Sequence, residues 1–402
     1  ICFDDESVDF KDCYLLEYIT HLANHAEYLN QQGFLSKSCL KAQKIIECVH
    51  ICIHDLKIPQ FNSLWTNLNR ALKIYLGIGS KHDDVPIETL MDIFESAGIL
   101  ENEIDILKYN PVTIDSLTDE DDLLSTDIDF NETIGIICKC MILAAKCSFI
   151  VNDYDKSIRA IKASLWFNLA TAELTTSIMT GNTSYRDMSI DSFKKSIKFQ
   201  SNVSASWNGL GMATMDINYR VSQHCFVKAL SISSTEPLTY NNLAILALKY
   251  KDTEFANELF EKSQAMFPIN YFSWFGLALS YNIQGMNDVA SRYFKHSFVL
   301  SKGKSDFIAV YYAMSVLKEN FANKLLNNDI LQLQEFIFTT RSLEMYLKKK
   351  PHDSLALQSL LVLLERVKEV ENAMPIIEDL ISKFESKISE SMDNDLVIAV
   401  CR

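Results

Sequence analysis

The sequence predicts an all-α fold, a right-handed solenoid of stacked helix pairs with irregular, extended helices at both ends. Three observations predict it. Glycine and proline are scarce, 11 and 7 in 402 residues, about a third of their usual share. A sandwich or propeller needs a turn signal every ~8–12 residues, which this chain cannot supply. Each of the four tryptophans is followed by leucine three positions later: Trp65/Leu68, Trp166/Leu169, Trp207/Leu210 and Trp274/Leu277, with Tyr240/Leu243 as a fifth copy. A separate series, Phe193, Phe226, Phe260 and Phe294, is spaced by 33, 34 and 34 residues, and its first three members stand 14 residues before Trp207, Tyr240 and Trp274.

Small residues complete the period. Ala170, Gly211, Ala244 and Ala278 follow the leucines, and Ser189, Ser222, Ala256 and Ala290 lie four before the phenylalanines. Ser196, Ala229, Ser263 and Ser297 lie three after them, and Pro268 stands six before Trp274 at a helix-ending position. This is the W-x2-L-G…A-x3-F…P pattern of the ~34-residue tetratricopeptide helix–turn–helix repeat. Trp207, Leu210, Gly211 and Thr214 fall at i, i+3, i+4 and i+7, one helix face. The small residue admits a partner helix at close range, and the aromatic fills the groove between units.

The elements follow in order. Residues 1–80 read as degenerate repeat helices, with Leu22, Ala26, Leu29, Gly33 and Ser38 in frame and a long second helix over Leu35–Leu56 before Trp65. Residues 81–135 read as an irregular acidic insert or linker, because Asp115–Glu132 carries eight acids and no Lys or Arg occurs between Lys108 and Lys139. Residues 136–302 read as the repeat array. Within it Asn152–Asp155 suggests a turn opening a second helix, which leaves a very tight turn, or a loop absent from the chain, near Ser164–Trp166. Seven extra residues separate Trp166 from Phe193, around Thr180–Ser184. Residues 303–402 read as degenerate repeats: Ile308, Tyr311, Tyr312 and Ser315, an Asn/Gln-rich extension over Asn320–Gln334, then Leu357, Leu360, Leu361, Leu364, Ala373, Ile377 and Leu380. The start at Ile1 reads as that of a piece of a longer protein.

Charge and cysteine usage bound the function. With 38 Lys+Arg against 52 Asp+Glu the formal charge is −14, a poor basis for general phosphate-backbone binding. Ten cysteines, most in apolar helical runs, behave as small buried hydrophobes and fit a reducing cytosol or nucleus. No stretch of ~18 uninterrupted apolar residues marks a membrane span. No G-x-G-x-x-G or G-x-x-x-x-G-K-[ST] loop occurs.

Candidate chemistry is thin. Cys48, His50, Cys52 and His54 alternate as four soft ligands, but on a helix the cysteines take one face and the histidines another, so core packing outweighs zinc. His21 and His25 lack the intervening glutamate of a metalloprotease helix and read as an exposed face. Cys138, Cys140 and Cys147 read as packing, Lys194, Lys195 and Lys198 as a solvated face, and Lys348–Lys350 as cations at a helix end. No catalytic constellation is visible, so neither enzyme activity, cofactor nor metal is expected. The positions after Trp or Tyr are Phe167, Asn208, Asn241 and Phe275; none is the lysine of a chaperone-tail clamp, and Asn242 alone resembles part of one.

Residues Trp166–Leu300 carry more than the generic repeat. Trp207-Asn-Gly-Leu-Gly211, Ser222-Gln-His-Cys-Phe-Val-Lys-Ala-Leu230, Asn242–Ala244, Ala256–Phe260 and Trp274–Ala278 together resemble the tetratricopeptide scaffold subunit of the superkiller complex. The Gln-His-Cys-Phe-x-Lys helix is distinctive because the repeat does not require its polar residues. The resemblance implies a non-catalytic cytoplasmic scaffold that holds an RNA helicase and a WD40 propeller subunit and serves 3′→5′ mRNA decay with the exosome. It implies no direct nucleic-acid or membrane site. The family's propeller contact uses a Gln-Arg-x-x-hydrophobic segment, and this chain has no Gln-Arg. The rival readings are a repeat adaptor for another complex, a direct RNA binder, and a zinc protein at Cys48–His54.

Overall fold

The computed structural model describes residues 10–31, 34–56, 61–78, 86–97, 112, 130–152, 154, 156–301, 306–322, 339–344, 346–347 and 354–367. The chain divides into two compact units, Ile1–Thr235 and Glu236–Arg402. Among the described residues the only regular elements are helices, and the fold is all-α as the sequence predicts.

In the first unit, α1 (Phe10–Gln31), α2 (Leu35–His50), α3 (Asn62–Ile78), α4 (Ile87–Ser96), α5 (Phe130–Val151), α6 (Arg159–Thr180), α7 (Thr183–Phe199), α8 (Ser204–Thr214) and α9 (Tyr219–Ile232) follow one another. The stack runs α1, α2, α3, α5, α6, α7, α8, α9, each helix packed on its predecessor. The long second helix expected over Leu35–Leu56 is α2 plus a π turn, Ile51–Asp55.

Two expectations change here. Within 81–135 lies a packed helix, α4, whose Leu90, Ile93 and Phe94 are buried against α2 and its π turn. Its apolar residues recur at i, i+3 and i+4, a stripe too short to stand out beside the acidic run. Residues 115–129 of that run lie outside the described residues. The same stretch also holds the start of α5, at Phe130. The turn that begins at Asn152 opens α6 at Arg159, and Trp166 sits inside that one unbroken helix. Neither a tight turn nor a lost loop is needed at Ser164–Trp166.

The seven extra residues before Phe193 lengthen α6 and α7; the turn between them is only Gly181 and Asn182. Seven residues are close to two α-helical turns, so the buried face keeps its phase. Gly181 caps α6 at φ 72°, and the Asn182 side chain accepts from Ser184 N to start α7.

One stretch, Thr133–Val151 in α5, is long and apolar enough to cross a membrane, but 78% of it is buried inside the unit. It packs between α3 and α6, which explains its all-round apolar surface.

In the second unit, α10 (Pro237–Lys249), α11 (Thr253–Met266), α12 (Tyr271–Ile283), α13 (Asn287–Ser301), α14 (Asp306–Ala322) and α15 (Ser354–Val367) stack consecutively. Asp252 and Asn270 cap α11 and α12 by accepting from Phe255 N and Phe272 N. Ile308, Tyr312 and Ser315 are buried on α14, as are Leu357, Leu360, Leu361 and Leu364 on α15. Ala373, Ile377, Leu380, Lys348–Lys350 and Asn323–Gln334 lie outside the described residues.

Candidate functional site

The repeat-signature residues build the seams between helices. Phe193, Phe226, Phe260 and Phe294 are completely buried, beside buried Leu169, Leu210, Leu243 and Leu277. Ala170, Ala244 and Ala278 are fully enclosed, as are Ala229, Ala256 and Ala290 on the partner helices. At Gly211 the reason for a small residue is explicit: a Cβ there would lie 2.6 Å from the Phe226 ring. Trp166 is buried, with its Nε1 donating to Tyr154 Oη at 2.9 Å. Trp207, Tyr240 and Trp274 are half-buried. Trp207 donates to Ser201 O and Trp274 to Pro268 O, both at 2.8 Å, so Pro268 ends one helix and receives the ring of the next.

Two sets of residues escape sequence reasoning. Gly209 and Gly276 sit two positions after Trp207 and Trp274, and a Cβ on either would overlap the ring of Phe193 or Phe260 from the preceding pair. The doubled Trp-x-Gly-Leu was their signal. The second set is the serines, read above only as small. Ser196 Oγ donates to Ala163 O at 2.9 Å, Ser263 Oγ to Pro237 O at 3.0 Å, and Ser297 Oγ to Tyr271 O at 2.9 Å. Each acceptor lies three residues before the aromatic of its own pair, in the first turn of the first helix at Pro237 and Tyr271 and in the second turn at Ala163. The serine hydroxyl thus adds a second bond to a helical carbonyl and ties the second helix of the pair to the start of the first. Ser196 also meets Ser206, and Ser263 meets Ser273, each at 3.0 Å, which links one pair to the next. Ser273 donates on to Asn241 Oδ1 at 3.1 Å.

The motifs weighed for chemistry resolve into packing. Cys52 is fully buried, whereas the His50 and His54 rings stack at 5.3 Å, so the two residue types do part to different faces. His50 pairs with Asp92 of α4, and that imidazole, with a bond from Ser96, holds the Asp92 carboxyl below its usual range. Among the described residues no three His, Cys, Asp or Glu side chains are grouped to hold a metal. Burial pushes the Cys138 and Cys225 thiols up to about 11 and Cys140 up to about 12. His21 and His25 are exposed. Lys195 departs from the solvated-face reading: its ammonium lies 4.0 Å from the Trp166 ring centroid.

With the signature turned inward, the outward faces are what a partner can meet. In the second unit the first helices of successive pairs expose Leu238 and Ile245 on α10, Phe272 on α12, and Phe307 and Tyr311 on α14, between 41% and 59% accessible. Phe275 joins the last two, with ring centroids 5.1 Å from Phe307 and 5.4 Å from Tyr311, and Phe307 lies 6.4 Å from Phe272. Contiguous exposed aromatics of this kind mark protein-docking surfaces.

Helix pairs of this length, locked by Phe-on-small-residue seams, define a tetratricopeptide-repeat protein. No family model matches the chain. Over 365 residues, 91% of its length, it is 39% identical to Superkiller protein 3 of Saccharomyces cerevisiae. It is 28% identical over 165 residues to Superkiller complex protein 3 of Mus musculus. The chain is thus a relative of Superkiller protein 3, and the likeness extends well beyond Trp166–Leu300, where the sequence motifs concentrate. It spans only 25% of the yeast relative and 10% of the mouse one. Among solved structures, that of Pseudomonas aeruginosa pilF has a TM-score of 0.46 at 14% identity, over 58% of this chain and 95% of that one.

Proposed function

We propose that this chain is part of the scaffold of a superkiller complex: a non-catalytic repeat surface that holds an RNA helicase and WD40 propeller subunits for cytoplasmic 3′→5′ mRNA decay with the exosome. The observation that carries the reading is the 39% identity over 91% of the chain with Superkiller protein 3. The exposed row Leu238, Ile245, Phe272, Phe307 and Tyr311 supports it, because a scaffold needs apolar anchors that its own fold leaves uncovered. In this reading 136–302 is the regular array, and 1–80 and 303–402 are modified copies of the same pair.

Size-exclusion chromatography of the purified chain with the purified helicase and propeller subunits tests this. Co-migration with at least one is expected, and Phe272→Ala with Phe307→Ala should weaken it about tenfold or more, since each anchor truncation costs over ~1 kcal/mol. Separate elution of all three would overturn the reading.

A further inference from the structure

A second surface lies at the start of the first unit, far in sequence from the aromatic row. A groove of about 510 Å³ opens between α1 and α2, lined by His25 and Leu29 of α1 and by Lys37, Leu40, Lys41 and Lys44 of α2. The three lysines fall at i, i+4 and i+7, so they share one helix face and rise ~6 and ~4.5 Å from one to the next. Lys37 and Lys44 are exposed, and Lys41 is half-buried. Leu40 stands between them with 60% of its surface in water, and Phe34, 54% exposed, lies 5.4 Å under the Lys37 ammonium.

This concentration of cations is unexpected in a chain of net charge −14. If its purpose were solubility, acids would serve as well. If it were helix stability, the cations would cluster in the last turn of α2, but Lys37 lies in the first, where the helix dipole opposes it. Three lysines on one face, one of them at an unfavourable helix end, around aliphatic walls have the composition of a binding groove.

We propose that this groove binds an acidic, leucine-bearing peptide segment of a partner protein, its carboxylates meeting Lys37, Lys41 and Lys44 and its apolar side chain seating between Leu29 and Leu40. A phosphate backbone fits the site less well. The lining holds no arginine, whose planar fork suits phosphate, and its walls are aliphatic, without the stacked aromatic platform of a single-strand binder. A long polyanion would also meet the repulsion of the whole −14 chain, whereas a short peptide feels the local field within a Debye length of ~8–10 Å. The inference stands apart from the helicase and propeller reading and does not depend on it.

Fluorescence anisotropy on the full chain tests it, with a fluorescein-labelled synthetic peptide of Asp/Glu triplets separated by single leucines as probe. Saturable binding that weakens as salt rises is expected. Lys37→Glu with Lys41→Glu and Lys44→Glu should weaken it about tenfold or more, Leu40→Ala should weaken it less, and the three Lys→Arg replacements should retain it. Lys37→Glu alone, at an exposed position, keeps the test open if the triple variant melts early. Equal binding by the triple variant, or by a probe with Asn and Gln in place of the acids, would overturn the proposal. So would oligouridylate binding tighter than the peptide and competing with it. Tighter peptide binding once the acids of 115–132 are neutralised would assign the groove to the chain's own acidic run, and would overturn the partner.

Discussion

Gly211, Gly276 and the buried phenylalanines set the tolerance of each seam to a single methyl group. A Cβ at Gly211 would stand 2.6 Å from Phe226, a ring with no exposed surface and therefore nowhere to swing. Gly211→Ala and Gly276→Ala should each destabilise by about 1–3 kcal/mol, the usual cost of overpacking, even though alanine is the better helix former. Urea unfolding of each variant measures this, and a stability gain at either position would contradict the seam geometry. The thiols give a second prediction at this scale. With the Cys138 and Cys225 thiols at about 11, only about one molecule in a thousand is thiolate at pH 8, and thiolate is the reactive form. Iodoacetamide labelling followed by peptide mapping should leave both unmodified in the native chain and modify both in urea.

At the scale of the helix and its turns, Lys251 and Gly285 occupy matching positions, 34 residues apart, and both are left-handed, at φ 65° and φ 81°. Glycine adopts that backbone freely, whereas a lysine pays about 1 kcal/mol or more. Lys251→Gly should therefore raise the unfolding free energy by up to about 1 kcal/mol, after the entropy glycine adds to the unfolded chain, and with it the urea midpoint. An unchanged or lower midpoint would show that Lys251 makes a compensating contact. The same turns show what was legible in the sequence. Phe193 to Phe294 announced the pairs because burial and close approach need fixed residue types at fixed spacing. The role of Ser196, Ser263 and Ser297 was hidden, because alanine at position 229 made them read as merely small. Helix α4 was hidden by the acids that follow it. The helix boundary near Trp166 was misplaced because α6 begins at Arg159, seven residues before Trp166, whereas the helices of Trp207 and Trp274 begin three residues before theirs. The groove of Lys37, Lys41 and Lys44 needed α1 laid beside α2 before its lysines became a site.

Across the molecule, the first unit is a stack in which each helix rests on its neighbours, so stability is a sum of local seams. Such a stack should answer a lesion locally. Phe193 fills the seam between α6, α7 and α8, against Ala170, Leu174 and Leu210. Phe193→Ala removes a fully buried ring, at a cost of about 3–5 kcal/mol. Hydrogen exchange should then lose protection in α6, α7 and α8 while α1 and α2 keep theirs. The distant pair is held by terms of its own: the Ser38 hydroxyl donates to Ala26 O at 2.8 Å, and the Arg70 guanidinium grips Glu27 through two bonds of 2.6 and 2.7 Å. Those bonds raise the Arg70 pKa above its usual value, so the guanidinium keeps its charge. Uniform loss of protection from α1 to α9 would mean that the unit melts as one body. A scaffold with independent seams can deform where one partner sits while a distant surface keeps its shape, and loss confined to α6–α8 is the outcome such a scaffold requires.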